Sequence, residues 1–227
     1  MSDMKKIIPT YDTKIALAVA NNVFRKFGYI RTTEAVHGER KSNKDRVLEV
    51  LATKPKYAKT DLKKADEQIE HYQSLLLLRL GDKGNDFQDK VLDIIASDNV
   101  KAEQIGVLAS LPHTYHAAID REKRQQHEKQ LAEKSSFVGE QRKRMIFDVV
   151  VDMVKPVKDG TLHIMTFLDK NNNIIKSFSP DNPVNNGIVV GASLQISCWV
   201  KGHQINKYTN GKETMVNRIK ILTEGSK

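Results

Sequence analysis

Of 227 residues, one is cysteine (Cys198) and one is tryptophan (Trp199). A lone thiol excludes an internal disulfide framework and any Cys-based structural zinc site. The longest notable apolar run, Leu75 to Leu78, is far short of the roughly 18 residues a membrane-spanning helix needs. The opening residues, Met1 to Pro9, hold too short an apolar stretch for a signal-peptide core. The expected setting is a reducing, cytoplasmic compartment, with no membrane partner.

Catalytic signatures are missing as well. No Gly-x-x-x-x-Gly-Lys-Ser/Thr loop is present, since Gly81-Asp82-Lys83-Gly84 lacks the spacing. No Gly-x-Ser-x-Gly elbow occurs. His113 and His116 are three residues apart but have no third metal ligand beside them. Asp169-x-Asn171-x-Asn173 opens like a calcium loop, but Ile174 stands where glycine is required and Pro180 where the bidentate glutamate belongs. The expectation is a protein that is not an enzyme and holds no cofactor or metal.

Positive charge is plentiful. Lys and Arg number 37 against 28 acids, a net +9, which favours a polyanionic partner. The surplus is unevenly spread. Residues 1–64 hold 15 basic and 7 acidic residues, net +8; residues 65–120 hold 4 and 10, net −6; residues 141–227 hold 13 and 7, net +6. A basic block therefore stands on each side of an acidic middle.

Residue periodicity changes near residue 140. Before it, apolar residues recur at helical spacing. Asp12 or Thr13 caps a helix through Ile15, Val19, Val23 and Phe27, with Gly28 as the stop. Asn43 opens a second helix ending at Pro55, and Asp61 a third that runs to Gly81. Asn85 starts a fourth, and a fifth covers Lys101 to Ser110, stopping before Pro112. Residues 121–136 are almost wholly polar and read as an exposed helix tail or linker. After residue 140 the period falls to two and β-branched residues take over. Strands are expected at Ile146–Val154, Thr161–Leu168, Ile174–Phe178, Ser193–Val200 and Thr214–Leu222, with a hairpin turn at Asp169–Asn173. The expected fold class is α+β in two domains. A helical domain (1–120) and a polar tail or linker (121–140) precede a five-stranded, all-β OB-type barrel (141–227).

The strands carry the most informative chemistry. Leu194, Ile196, Cys198 and Val200 share one face, and Gln195, Ser197, Trp199 and Lys201 the other. An aromatic beside a cation is what a single-stranded nucleic-acid site needs, because bases stack on rings while Lys and Arg track phosphates. Arg218 and Lys220 alternate with Ile219 and Ile221. Phe167 lies in the hairpin, and Lys176 and Phe178 share a face across its turn. His203, Lys207, Tyr208 and Lys212 extend the polar chemistry into the last turn.

The run Phe167-Leu168-Asp169-Lys170-Asn171-Asn172-Asn173-Ile174-Ile175 resembles the hairpin between the second and third strands of OB-fold domains in phage and other viral replication proteins. Gly191 to His203, with its Val200-Lys201-Gly202-His203 ending, resembles the strand that follows. Tyr208-Thr209-Asn210-Gly211-Lys212-Glu213-Thr214, followed by Arg218 and Lys220, resembles the closing hairpin. The resemblance covers roughly residues 142–222. It implies single-stranded DNA binding in replication or recombination and suggests Lys201, His203, Lys212 and Arg218 as positions of interest. One departure is that Leu222 to Lys227 forms no acidic tail of the kind that recruits partners, so a specialised accessory fits as well as a general strand-coating protein.

Two other readings compete with this one. A helix-turn-helix over residues 43–80 would place Lys56, Lys59, Lys63 and Lys64 against duplex DNA. Alternatively, the barrel contacts protein and the chain is an adaptor. Single-stranded DNA is the expected partner, with RNA accepted by the same stacking chemistry. Replication or recombination proteins are expected to bind through the helical domain.

Overall fold

Asp12 accepts a hydrogen bond from Ile15 N–H at 2.8 Å, and this cap starts helix α1 (Thr13–Phe27). Ala16, Leu17, Ala20 and Val23 recur at helical spacing and are buried. Gly28, at φ 69°, ends the helix in a conformation that a side chain disfavours. The computed structural model describes residues 8–35, 39–78 and 86–224. The expected stop at Gly81 and start at Asn85 lie outside these residues. The chain divides into two compact units, Met1–Arg121 and Glu122–Lys227.

In the first unit, α2 (Asn43–Ala52), α3 (Lys59–Leu78) and α4 (Asp86–Ala96) follow α1. Ser42, not Asn43, caps α2, accepting from Asp45 N–H. Asn43 is instead buried, joining Ile30 N–H to the Gly28 carbonyl. A second buried polar link ties α1 to α3, where the Asn21 and Gln68 amides exchange two hydrogen bonds of 3.1 and 2.9 Å. The expected fifth helix over Lys101–Ser110 is not one element. Strand β2 (Asn99–Lys101) pairs with β1 (Thr10–Asp12), a 3-10 turn follows, and α5 (Ile105–Leu108) is a single turn. Pro112 begins a helix rather than ending one: α6 runs Leu111–Lys134, and proline is tolerated in the first turn, where its missing N–H has no partner to lose. Among the described residues, no helix is long and apolar enough to cross a membrane.

Asp61, in the first turn of α3, is the most heavily bonded acid among the described residues of this unit. It takes two bonds from Arg25, at 3.1 and 3.0 Å, one from Asn22 and one from Ala58 N–H. Burial alone would raise its pKa. The Arg25 guanidinium, the Ala58 N–H and the Asn22 amide outweigh that effect and hold it at about 2. A depressed folded pKa contributes stability above the ordinary carboxylate range and loses it as pH falls. We expect about 2 kcal/mol to vanish between about pH 4 and pH 2. Denaturant titration followed by far-ultraviolet circular dichroism should show this loss, and Asp61→Asn should flatten it. The six-residue link Thr53–Ala58 leaves Lys56, Lys59 and Lys63 exposed.

The second unit is a closed barrel of β3 (Arg144–Val157), β4 (Leu162–Asp169), β5 (Ile174–Ser179), β6 (Ser193–Ile205) and β7 (Lys212–Glu224). The strands are ordered β3-β4-β5-β7-β6, and β6 pairs with β3 to close the ring. All pairings are antiparallel except β5 with β7. This is the arrangement of an OB-type barrel. Val149, Val151, Met165, Phe167, Ile175, Leu194, Ile196, Cys198 and Val200 fill the interior, following the period-two pattern. The hairpin between β4 and β5 turns as expected. Asp169 accepts from Asn171 N–H and Asn173 N–H, and Asn172 adopts φ 61°.

Candidate nucleic-acid interface

OB-type barrels usually bind oligonucleotides on their second and third strands, here β4 and β5, between the first and last hairpin loops. The end of α6 covers part of that face. His127 bonds Asp152 at 2.9 Å. Ser135 donates to the Lys212 carbonyl and accepts from Ile174 N–H. Gly211 lies so close to Ala132 that a Cβ added to it would stand 2.5 Å from the alanine's methyl group.

Two sequence-based expectations fail on this face. Phe167 is 0 % exposed inside the barrel and cannot stack on a base; its place in the β4 alternation faces inward, with Met165. Lys176 is not free for phosphate, because its ammonium donates to Glu213 at 2.7 Å. Glu213 is 2 % exposed and also accepts from Asn206 and Gln204. Burial would raise this carboxyl. The bonds from Lys176, Asn206 and Gln204 prevail and hold it below the ordinary range. The group is a structural tie between β5, β6 and β7.

Beyond Ser177, β5 and β7 no longer pair, and a groove of about 590 Å³ opens between them. Phe178, Pro180, Asp181, Arg218 and Lys220 are among the residues lining it. A second groove, about 520 Å³, is lined by Phe178, Lys201, His203, Met215 and Asn217 among others. Phe178 is common to both and 48 % exposed. Of the expected site residues, the fold therefore brings Phe178, Lys201, His203, Arg218 and Lys220 together. Trp199, 36 % exposed, pairs directly with Asn217 of the second groove.

Backbone irregularities place two of these cations. Between the Trp199–Asn217 and Ser197–Lys220 pairs, Arg218 and Ile219 oppose Cys198 alone. Between the Val200–Val216 and Gly202–Met215 pairs, Lys201 is the extra residue. Each is a β-bulge, which bends its strand and redirects a side chain. The bulges flank the Trp199–Asn217 pair, with one cation at each.

His203 has both ring nitrogens engaged. Nε2–H donates to the Val138 carbonyl, which leaves Nδ1 to accept from Gln141. Its ring stacks on Phe137, with centroids 4.7 Å apart, and the Lys212 ammonium lies 5.8 Å from the Phe137 centroid. Lys212 and Phe137 line neither groove. Lys207 and Tyr208 stand on the β6–β7 loop and line neither groove; Tyr208 is 95 % exposed.

Three further residues of this surface do not stand out in the sequence. Arg144 pairs with Trp199 across β3 and β6 and donates to Ser197 Oγ at 3.0 Å. Arg142, just before β3, donates its N–H to the Val200 carbonyl, beside Lys201. Phe137 follows the end of α6. The basic run Arg142-Lys143-Arg144 was the available signal. Among the described residues, no acid forms an ion pair with Arg142, Arg144, Lys201, Arg218 or Lys220. Cys198 points into the core, where burial pushes its thiol up to about 11 against the pull of Arg144, so it is protonated and inert. Among the described residues, no cluster of three His, Cys, Asp or Glu side chains could hold a metal. His113 and His116 stack instead on Tyr29 and Phe24.

Compared with protein-family models, curated proteins and solved structures, the chain matches none.

Proposed function

We propose that the barrel binds single-stranded DNA without base specificity, and that the protein acts as an accessory in DNA replication or recombination. The observation that carries this reading is Phe178, an exposed ring shared by two grooves, with Lys201 in one and Arg218 and Lys220 in the other. A strand laid along both grooves stacks a base on Phe178 and meets a cation on either side of it. Trp199 and Arg144 offer a second ring and a further cation alongside. Nothing in this chemistry selects a base, because every base has a π-face. The same stacking accepts RNA. In this reading the helical unit is where replication or recombination proteins dock.

Trp199 is the sole tryptophan and serves as the probe. Titration of the whole chain with oligo(dT) longer than the ~4–16 nucleotides one OB fold covers is expected to quench its fluorescence at low salt. Raising the salt should weaken binding, with a slope of about −0.7 in log affinity against log salt for each phosphate contacted. An unquenched, folded protein would contradict stacking at Trp199, and a flat salt response would contradict phosphate contacts.

Exposed Ile146, Val150 and Leu222 favour a second reading, in which the β3–β6–β7 face contacts protein. The double variant Trp199→Ala, Lys201→Ala separates the two. Retention of a protein partner by a variant that has lost oligonucleotide supports the adaptor.

A further inference from the structure

Arg218 combines two features that do not ordinarily coincide. It has φ 53°, in the left-handed region where a side chain crowds the backbone, yet it lies inside a paired strand. Lys158, Asp159, Asn172 and Asn210, the other described non-glycine residues at positive φ from β3 onward, lie in turns between strands, and Arg142 precedes β3. Arg218 also occupies the first of two bulge residues facing a single partner, a place that glycine takes in the common left-handed bulge. A glycine or asparagine would sit there with less strain. A long cation stands there instead, its side chain on the wall of the larger groove beside Phe178 and Lys220. No hydrogen bond or ion pair within the described residues explains its presence.

We infer that Arg218 is a phosphate clamp aimed by a strained bulge, and that the fold gives up stability at this point to hold the guanidinium in the groove. The inference rests on the proposed nucleic-acid reading and assigns a position within it. Strained backbone at a binding position pre-organises a group that would otherwise be ordered only on binding. The guanidinium presents a planar fork that pairs two N–H groups with two phosphate oxygens, which an ammonium cannot do. Lys220, two residues on and on the same groove wall, supplies charge without such a constraint. Asp181, on the wall formed by the β5–β6 connection, is the acid that lines this groove and repels a phosphate placed too far toward that side.

Three variants of the full chain test the clamp, each read by thermal melting and by oligo(dT) titration over a range of salt. Arg218→Asn relieves the left-handed strain without the unfolded-state entropy of glycine. It is expected to raise Tm by a few degrees while weakening binding about tenfold and reducing the salt slope by about 0.7, one phosphate. Arg218→Lys keeps the charge and the strain, so Tm and the salt slope should stay put while affinity falls severalfold through loss of the fork. Lys220→Ala should lower affinity and slope with no gain in Tm. A raised Tm with unchanged affinity in Arg218→Asn overturns the clamp, and a lowered Tm overturns the strain. If the wild type itself fails to bind oligonucleotide, the nucleic-acid reading and the clamp fall together, while the melting data still decide the strain.

Discussion

Replacing Glu213 by alanine is expected to destabilise the barrel by about 3 kcal/mol. The carboxylate accepts from Lys176, Gln204 and Asn206, and its removal strands an ammonium that is only 20 % exposed. Breaking a buried pair from one side costs about 3–5 kcal/mol because the remaining charge stays out of water. The lower end applies here, since Lys176 keeps some solvent contact. For a unit of this size the loss corresponds to a fall in Tm of roughly 10–20 °C. Trp199 lies in the barrel, so its fluorescence follows this transition and not the melting of the helical unit. The pH dependence has a definite sign. The folded pKa of Glu213 is depressed, so its contribution is present above the ordinary glutamate pKa and is lost as pH falls through the folded value. The barrel of the alanine variant should therefore be less sensitive to acid than the wild type. A Tm within a few degrees of wild type would mean that the tie between β5, β6 and β7 does not support the barrel.

The second large effect is on binding. Lys201, Arg218 and Lys220 are exposed and free of ion pairs among the described residues, so replacing all three by alanine should leave the fold intact. Affinity for oligo(dT) at low salt should fall about 10²–10³-fold, and the salt slope by about 2, as three phosphate contacts disappear. Phe178→Ala should cost about 1–3 kcal/mol of binding with the slope unchanged, because stacking releases no counterions. Lys207→Ala and Tyr208→Ala, on the β6–β7 loop, should change little and serve as controls. Equal losses at the loop and at the grooves would place the contact elsewhere.

Much of the architecture can be read from local pattern, and the failures have identifiable causes. The Asp12 cap, the four-residue recurrence of Ile15, Val19, Val23 and Phe27, and Gly28 are all short-range signals, and α1 follows them. Period-two alternation marks all five barrel strands for the same reason. Pro112 misleads because proline is compatible with a first helical turn as well as with a stop. Residues 99–110 carry too few periodic apolar positions to separate a strand and a single turn from a helix.

The candidate site is legible in its residue types and less so in its arrangement. Trp199, Lys201 and Arg218 stand out as ring and cations on alternating strands. Their convergence depends on two bulges that no glycine announces at 218, although Gly202 follows Lys201. Lys176 looks free in sequence because its partner, Glu213, is distant in the chain and reaches it through the parallel β5–β7 pairing. Phe167 looks available because alternation alone does not say which side of the strand faces inward. Arg144 escapes notice because β3 begins two residues earlier than the apolar run at Ile146.

Single-stranded nucleic acid is expected to lie along the two grooves that meet at Phe178, between the end of β5 and the β6–β7 pair, and not on the part of the β4–β5 face beneath α6. Backbone amide chemical shifts of the full chain, recorded during titration with oligo(dT), test this most directly. The predicted result is a contiguous set of shifts at residues 177–181, 199–203 and 216–221, with residues 122–134 of α6 unmoved. Shifts centred on α6 and β4, or none at all under saturating oligonucleotide at low salt, would contradict it.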